Sequence, residues 1–555
     1  MQDIHCQFRF QIYCGRPVPG PASFGTPAEV KGQRELPLPH DNHVTSDPDA
    51  LWLSERGSCG ILHFSHSFNK QSLNVTAPAW TKKMPLVGNL FDMPATDHWE
   101  IYQKWSRDFD SDIIHLNVVG KSIIVLSSLQ ATKDLMVHGI LIAPALSNLL
   151  LRARLPMVNE LMGWDFSFGV LSAKYSNTVF SVTASQQFQP MKLASTHALL
   201  RRILKNPEGC MMEHFEQMTG ELIMSITYGN DVLDANDPYL KLAHQSMHDL
   251  AAACVPGKYL VDAIPVLKYI PTWFPGAGFK RDARKWSQAT QQYVELPFEE
   301  AKRKIAAGVS RASFISQVLS MKWDSMDPHY STDAIRDTAG TILSGGSHST
   351  VSVLGTFALA MLLHPEIQKK AQSEIDSVVG HDRLPSFKDK PTLPYIEALV
   401  KELFRWEPVA PLGGPHFVAV ENEYRGYRIP AGSIILGNTW AIFHDEALYP
   451  EPFEFRPERF LSAAQPDRIN PDPVMGFGYG RRACPGQYVA LDSVWIAVAS
   501  ILAVFHLTKA VEDDGKVIEP RCEYFSGLAR IPLPFKASVR PRSKRCAEIV
   551  EATAM

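Results

Sequence analysis

The 555-residue chain concentrates its chemistry in one stretch, Phe477-Gly478-Tyr479-Gly480-Arg481-Arg482-Ala483-Cys484-Pro485-Gly486. One cysteine stands among glycines and arginines with a proline directly behind it. A helical pattern follows through Tyr488, Val489, Leu491, Val494, Trp495, Val498 and Leu502. Glycine lets a backbone turn tightly and come close to a flat partner. A thiol becomes a strong ligand when it ionises, and both nearby arginines and the N–H groups at a helix start favour the thiolate. The spacing reads as a cysteine-ligated metal at a loop-to-helix junction. Taken alone, the same cysteine would read as a buried structural thiol.

Two further clusters need positioning. The apolar run Asp333–Leu363 predicts a long helix ended by His364-Pro365, because proline disfavours helix in the residue before it. In its middle lies Ser344-Gly345-Gly346-Ser347-His348-Ser349-Thr350. Two adjacent glycines cost a helix interior about 1 kcal/mol each relative to alanine, so a packed core alone does not explain them. Glu402 and Arg405 follow on another predicted helix, three residues apart and therefore on one face. Around these, Trp99–Phe109 reads as a helix, and Ile113–Val118 and Ser122–Leu126 read as strands joined through Gly120 and Lys121. Spacing of 3.6 residues predicts helices through Leu199, Leu200, Ile203 and Leu204, and again through Met211, Phe215, Met218, Leu222 and Ile226. The segment Val255–Phe279 is apolar and rich in Pro and Gly, with Trp273 and Phe274 exceeding what a plain solvent loop carries.

Phe477, Gly480, Arg482, Cys484 and Gly486 match F-x-x-G-x-R-x-C-x-G, the haem-binding signature of the cytochrome P450 family, which the chain resembles over roughly residues 84–540. Gly345, Gly346, Ser349 and Thr350 fit that family's [AG]-G-x-[DE]-[ST]-T, with His348 at the acidic position. Pro457-Glu458-Arg459-Phe460 resembles its P-E-R-F motif. The wording of residues 273–279 is most similar to fungal microsomal members of the O-methylsterigmatocystin oxidoreductase type.

The resemblance implies a mainly α fold with small β-sheets and a haem b whose iron takes Cys484 as axial thiolate. It implies that Arg482 and His416 hold the haem propionates, and that Ser349 and Thr350 supply the hydroxyls beside the oxygen site. Glu402, Arg405 and Arg459 would form a structural cluster. The implied partners are O2, an apolar small molecule and an NADPH-cytochrome P450 reductase. Arg456, Arg459, Arg481 and Arg482 would lend positive charge to the reductase-facing side. His348 stands open between two readings, a proton relay and a satisfied core histidine. One family feature is missing: Ser172–Gln187 holds no Trp-x-x-x-Arg, whose arginine pairs with a propionate. These departures leave two rival readings, a thiolate-haem isomerase or dehydratase that does not activate O2 and an inactive haem-binding remnant.

Composition narrows the rest. A formal net charge of -3 without a basic tract argues against a nucleic-acid partner. The 8 cysteines are irregularly spaced without a CxxC pair, against a disulfide framework or a zinc site. Residues 1–80 read as a disordered segment, 84–540 as the haem domain and 541–555 as a flexible tail. The N-terminal part shows no apolar window of about 18 residues. The resemblance implies the cytosolic face of the endoplasmic reticulum and makes residues 255–279 the lid over the substrate entrance; with no anchor in this sequence, the expectation is a soluble or peripheral protein whose membrane contact runs through that lid.

Overall fold

The apolar periodicities resolve into a helical core, with a small mixed sheet packed in clusters of its own. In this computed structural model the described residues are 88–137 except 95 and 119, then 142–143, 179–233, 237–253, 259, 261, 265–321, 331–461, 470–480, 483–527 and 529–554. They belong to the compact unit Leu73–Met555. The expected disordered segment 1–80 lies outside them. Single turns aside, α1 (His98–Asp108) leads into β1 (Ile113–Val118), β2 (Lys121–Leu126) and β3 (Ile142–Ala143). Then come α2 (Gln189–Lys205), α3 (Met211–Tyr228), α4 (Pro238–Ala253), α5 (Gly278–Ala306), α6 (Phe314–Ser320), α7 (Thr332–Leu363), α8 (Pro365–Val378) and α9 (Pro394–Trp406). Strands β4 (His416–Val418), β5 (Asn422–Tyr424), β6 (Tyr427–Ile429) and β7 (Ile434–Gly437) precede the short α10 (Thr439–Phe443). The chain closes with α11 (Gln487–Val504), β8 (Phe505–Lys509), β9 (Tyr524–Phe525), β10 (Ile531–Pro532), β11 (Ala537–Pro541) and α12 (Lys544–Ala552).

The main sheet has the order β1-β2-β7-β4-β3. Strands β2 and β7 run parallel with Ile124 opposite Ile435, and β4 pairs β7 antiparallel with His416 opposite Ile435. Helix α7 starts where the Ser331 hydroxyl accepts from the Ala334 N–H, a cap that satisfies one of the unpaired donors of the first turn. It packs on α3 closely enough that a Cβ on Gly346 would lie 2.7 Å from Ile223 Cδ1. From α5, the buried Tyr293 hydroxyl donates to the Gly340 carbonyl at 3.1 Å. Helix α11 is apolar on every side, with Val494 to Ile496 wholly buried, as a helix through the centre of a core must be. Among the described residues α7 and α11 are long and apolar enough to cross a membrane, but 72% and 67% of their apolar windows are buried inside the protein. That burial marks them as core helices.

Two buried ionic groups tie this core together. Lys192 of α2, fully buried, reaches Asp492 of α11 at 3.1 Å, and Lys390 takes the other carboxylate oxygen at 3.0 Å. Burial lowers the Lys192 pKa, and Asp492 works against that shift. Glu402 of α9 lies between two arginines, all three side chains being out of solvent. Arg405 grips the carboxylate through Nε at 2.7 Å and Nη2 at 2.8 Å, and Arg459 Nε adds a third bond at 3.1 Å. Their remaining N–H groups reach backbone carbonyls of the long loop after α10: Phe443 and Pro452 for Arg405, Pro450, Glu451 and Glu454 for Arg459.

The expected flexible tail, 541–555, is instead largely helical. Ser543 caps α12, and the helix buries Cys546 and Val550. Two apolar residues in a charged stretch give too weak a pattern to show in the sequence, yet they suffice once a groove exists to receive them.

Replacing Glu402 by leucine leaves two buried guanidinium groups without their counter-charge. Breaking one partner of a buried pair costs about 3–5 kcal/mol. Glu402→Leu is therefore expected to lower the midpoint of thermal unfolding by many degrees, or to prevent soluble expression; a midpoint equal to that of the parent would show that the cluster contributes no net stability.

Candidate active site

The loop before α11 takes its shape from two glycines. Gly478 has φ 94° and ψ -166°, a region only glycine enters readily. Gly480 has φ +58°, and a Cβ there would meet the Met136 carbonyl oxygen at 2.7 Å. The Cys484 N–H donates to the Phe477 carbonyl at 2.7 Å and the Gln487 N–H to the Cys484 carbonyl at 3.3 Å, so the loop closes on itself and passes directly into α11. The Phe477 ring stands 4.9 Å from that of Phe404 on α9. Tyr479 is buried, and its hydroxyl shares a 2.5 Å hydrogen bond with Thr439.

Cys484 counts as exposed, yet the protein around it is dense enough to desolvate its thiol. The two observations agree if the sulfur faces an opening within the protein rather than bulk water. Burial raises the thiol pKa, and the Gly486 N–H acts weakly in the opposite direction. Among the described residues, then, burial opposes ionisation of the free thiol and one N–H donor favours it. Arg481 and Arg482 lie outside them. A coordinated cation ionises such a thiol outright.

On α7 the face carrying Gly345 is open: a Cβ there would meet nothing within 4 Å. One turn on, the Ser349 hydroxyl donates to the Gly345 carbonyl at 2.8 Å, while Thr350 is buried. His348 points its Nδ1 into the protein, where that atom is buried and meets no hydrogen-bond partner. Its ring stands edge-on to His244 of α4, centroids 5.5 Å apart. A cavity of about 10 Å³ is lined by Glu216 and Gly220 of α3, His244 of α4, and Ser347, His348 and Val351 of α7. Burial, then the neighbouring His244, lowers the His348 pKa to about 4. Burial, then Glu213, raises that of Glu216 to about 7. Sequence reasoning passed over Glu216 and His244. The one available signal was Gly220, a glycine within an apolar helix, whose Cβ would run into Leu240 at 2.5 Å.

His416 lies buried on β4, and its Nδ1 must carry a proton because it donates to the Gly414 carbonyl at 2.9 Å. Arg459, expected on the reductase-facing side, is spent inside the protein on Glu402, and Arg456 pairs with Glu451. In the stretch without Trp-x-x-x-Arg, residues 172–178 lie outside the described residues. Val179 and Phe180 are buried, the Phe180 ring stacking 6.0 Å from Phe314, and Ser181 caps the following turn. A soft sulfur donor that is accessible yet desolvated, a loop shaped by glycines, and a helix face lacking a side chain at Gly345 with a hydroxyl one turn away together fit an iron porphyrin.

Comparison with known proteins agrees. The family model for Cytochrome P450 matches residues 78–539. Cytochrome P450 monooxygenase 98 of Postia placenta is 42% identical over 85% of this chain and 92% of its own length. Cytochrome P450 monooxygenase ple1 of Rhodocybe pseudopiperita is 36% identical over 91% and 95%. Tryptamine 4-monooxygenase of Psilocybe cyanescens is 36% identical over 83% and 92%. With a cysteine loop before α11, an open glycine-serine face on α7 and kinship over most of its length, the chain belongs to the cytochrome P450 family and is a haem-thiolate monooxygenase.

Proposed function

We propose that the protein inserts one atom of O2 into an apolar small molecule of fungal secondary metabolism, drawing electrons from NADPH through a flavoprotein reductase. The observation that carries this reading is Cys484, open to solvent yet desolvated by the surrounding protein, at the end of a Phe477–Gly486 loop that closes on itself. Bound haem supplies the activation of O2, for which a thiolate ligand favours cleavage of the O–O bond. The chain's own residues do the rest. Cys484 would hold the iron, while His416, fixed in one tautomer by Gly414, and Arg482 would hold the propionates. Ser349 keeps a hydroxyl at the open face of α7. His348 is neutral at pH 7, because burial depresses its pKa, and so accepts a proton at Nδ1 rather than holding a charge.

The segment 265–277 supports peripheral attachment at the endoplasmic reticulum surface. Tyr269 is 75% and Trp273 77% exposed, and Val266 and Phe274 are exposed beside them. Large apolar side chains grouped in this way suit the boundary of a lipid headgroup layer.

Two tests follow. Cys484→Ala is expected to abolish the red-shifted Soret band of the ferrous carbon monoxide complex, while Cys210→Ala and Cys522→Ala keep it; retention of the band in the Cys484 variant would overturn the assignment of the ligand. For the membrane contact, Trp273→Ser with Phe274→Ser is expected to reduce co-sedimentation with phosphatidylcholine vesicles several-fold without changing that band. Equal sedimentation of variant and parent would remove the lid from the interface.

A further inference from the structure

The α7 position where this family carries a carboxylate holds His348, yet a carboxyl group is present across a narrow gap, on a different helix. Glu216 of α3, His244 of α4 and His348 of α7 line one cavity of about 10 Å³, with Ser347 beside them. That is room for roughly one water molecule, which needs two to four polar partners to be held. This cavity offers them: a carboxyl group, the buried unpartnered Nδ1 of His348, the His244 ring and the Ser347 hydroxyl. The described residues contain no trio of His, Cys, Asp or Glu arranged to hold a metal ion. The cluster is thus suited to proton movement.

We propose that Glu216 is the proton-delivering acid of this enzyme, passing protons through a cavity water to His348, one residue from Ser349. This rests on the monooxygenase reading, since that reaction consumes protons at the oxygen site. In the step, the Glu216 O–H bond breaks and the water accepts that proton while giving one of its own to His348 Nδ1. His348 then passes the proton carried at Nε2 to a water on the side of the oxygen site, where the reaction consumes it, leaving the ring neutral with its proton at Nδ1 and the negative charge on Glu216. The Glu216 carboxylate regains a proton from solvent on the side of the exposed Glu213.

Several groups set the balance. Glu213 and Cys210 lie near Glu216 on its own side, and His244 and His348 face it from α4 and α7. Burial and Glu213 hold the carboxyl at about 7, so near neutrality a large share of Glu216 carries the proton it must donate. Burial and His244 keep His348 unprotonated at rest, at about 4. As a positioning and relay pair, the two serve the reaction without touching the reacting atoms.

Delivery requires protonated Glu216, so it is complete below the folded pKa and is lost as pH rises through about 7. The full-length holoenzyme with reductase and NADPH, using a fluorogenic alkoxycoumarin as probe, is expected to show product per NADPH falling through that range. Glu216→Gln is expected to lower product per NADPH at least fivefold at pH 6, to divert electrons to hydrogen peroxide, and to erase that pH step. Glu216→Asp should restore part of it, and adding His348→Phe to Glu216→Gln should cause no further loss. A Glu216→Gln variant that keeps coupling and pH profile would overturn the relay. The second measurement needs no turnover. In the wild-type protein with ¹⁵N-labelled histidine, the His348 ring signals should shift in a step near pH 7, and that step should vanish in Glu216→Gln. Absence of the step in the wild type would overturn the link between the two residues. Failure of wild-type protein to consume O2 with reductase and NADPH would instead overturn the monooxygenase reading, leaving the histidine titration to judge the link by itself.

Discussion

A single carboxylate buried between two guanidinium groups holds the cysteine side of this protein in place. Glu402 cannot leave its position, because Arg405 and Arg459 would then be charged and dry without a counter-ion. Nor can the arginines leave, because their other N–H groups hold carbonyls of the loop spanning residues 443–454. Glu402 also accepts the Arg456 N–H at 2.9 Å, at the start of the turn that contains Arg459. The cluster therefore joins α9 to a long irregular segment that has little secondary structure of its own. From α9 the constraint passes through Phe404 and Phe477 to the cysteine loop. Net gain from such a cluster over an apolar packing is small, so its value lies in the uniqueness of the arrangement.

The opposite side of the site is organised by α7. One face of that helix is packed hard, with Gly346 against Ile223, and the adjoining face is open at Gly345. The adjacent glycines, costly for a helix, thus serve two different ends: one admits a neighbouring helix and the other leaves space. His348 turns toward α3 and α4, where His244 and Glu216 meet it. The carboxyl function absent from α7 is thereby supplied across a helix–helix boundary, where desolvation favours the neutral form of both Glu216 and His348.

The sequence determined the family, the cysteine that the family's signature marks and the order of the helices, because these are written in local spacing. Five fixed positions around Cys484, the i,i+3 pair Glu402 and Arg405, and the 3.6-residue periodicity of α2, α3, α7 and α11 each lie within a short window. Only the tertiary structure decided what depends on burial and on residues far apart in the chain. Burial opposes ionisation of the free Cys484 thiol, and the internal use of Arg459 removes it from the surface side. The C-terminal helix forms because a groove accepts Cys546 and Val550. His348 left two readings open in the sequence because its partners come from residues 216 and 244, more than a hundred positions away. A charge pattern on one helix carries no record of which side chains another helix will bring against it, and it is that meeting, out of water, that sets the proton affinity of each group.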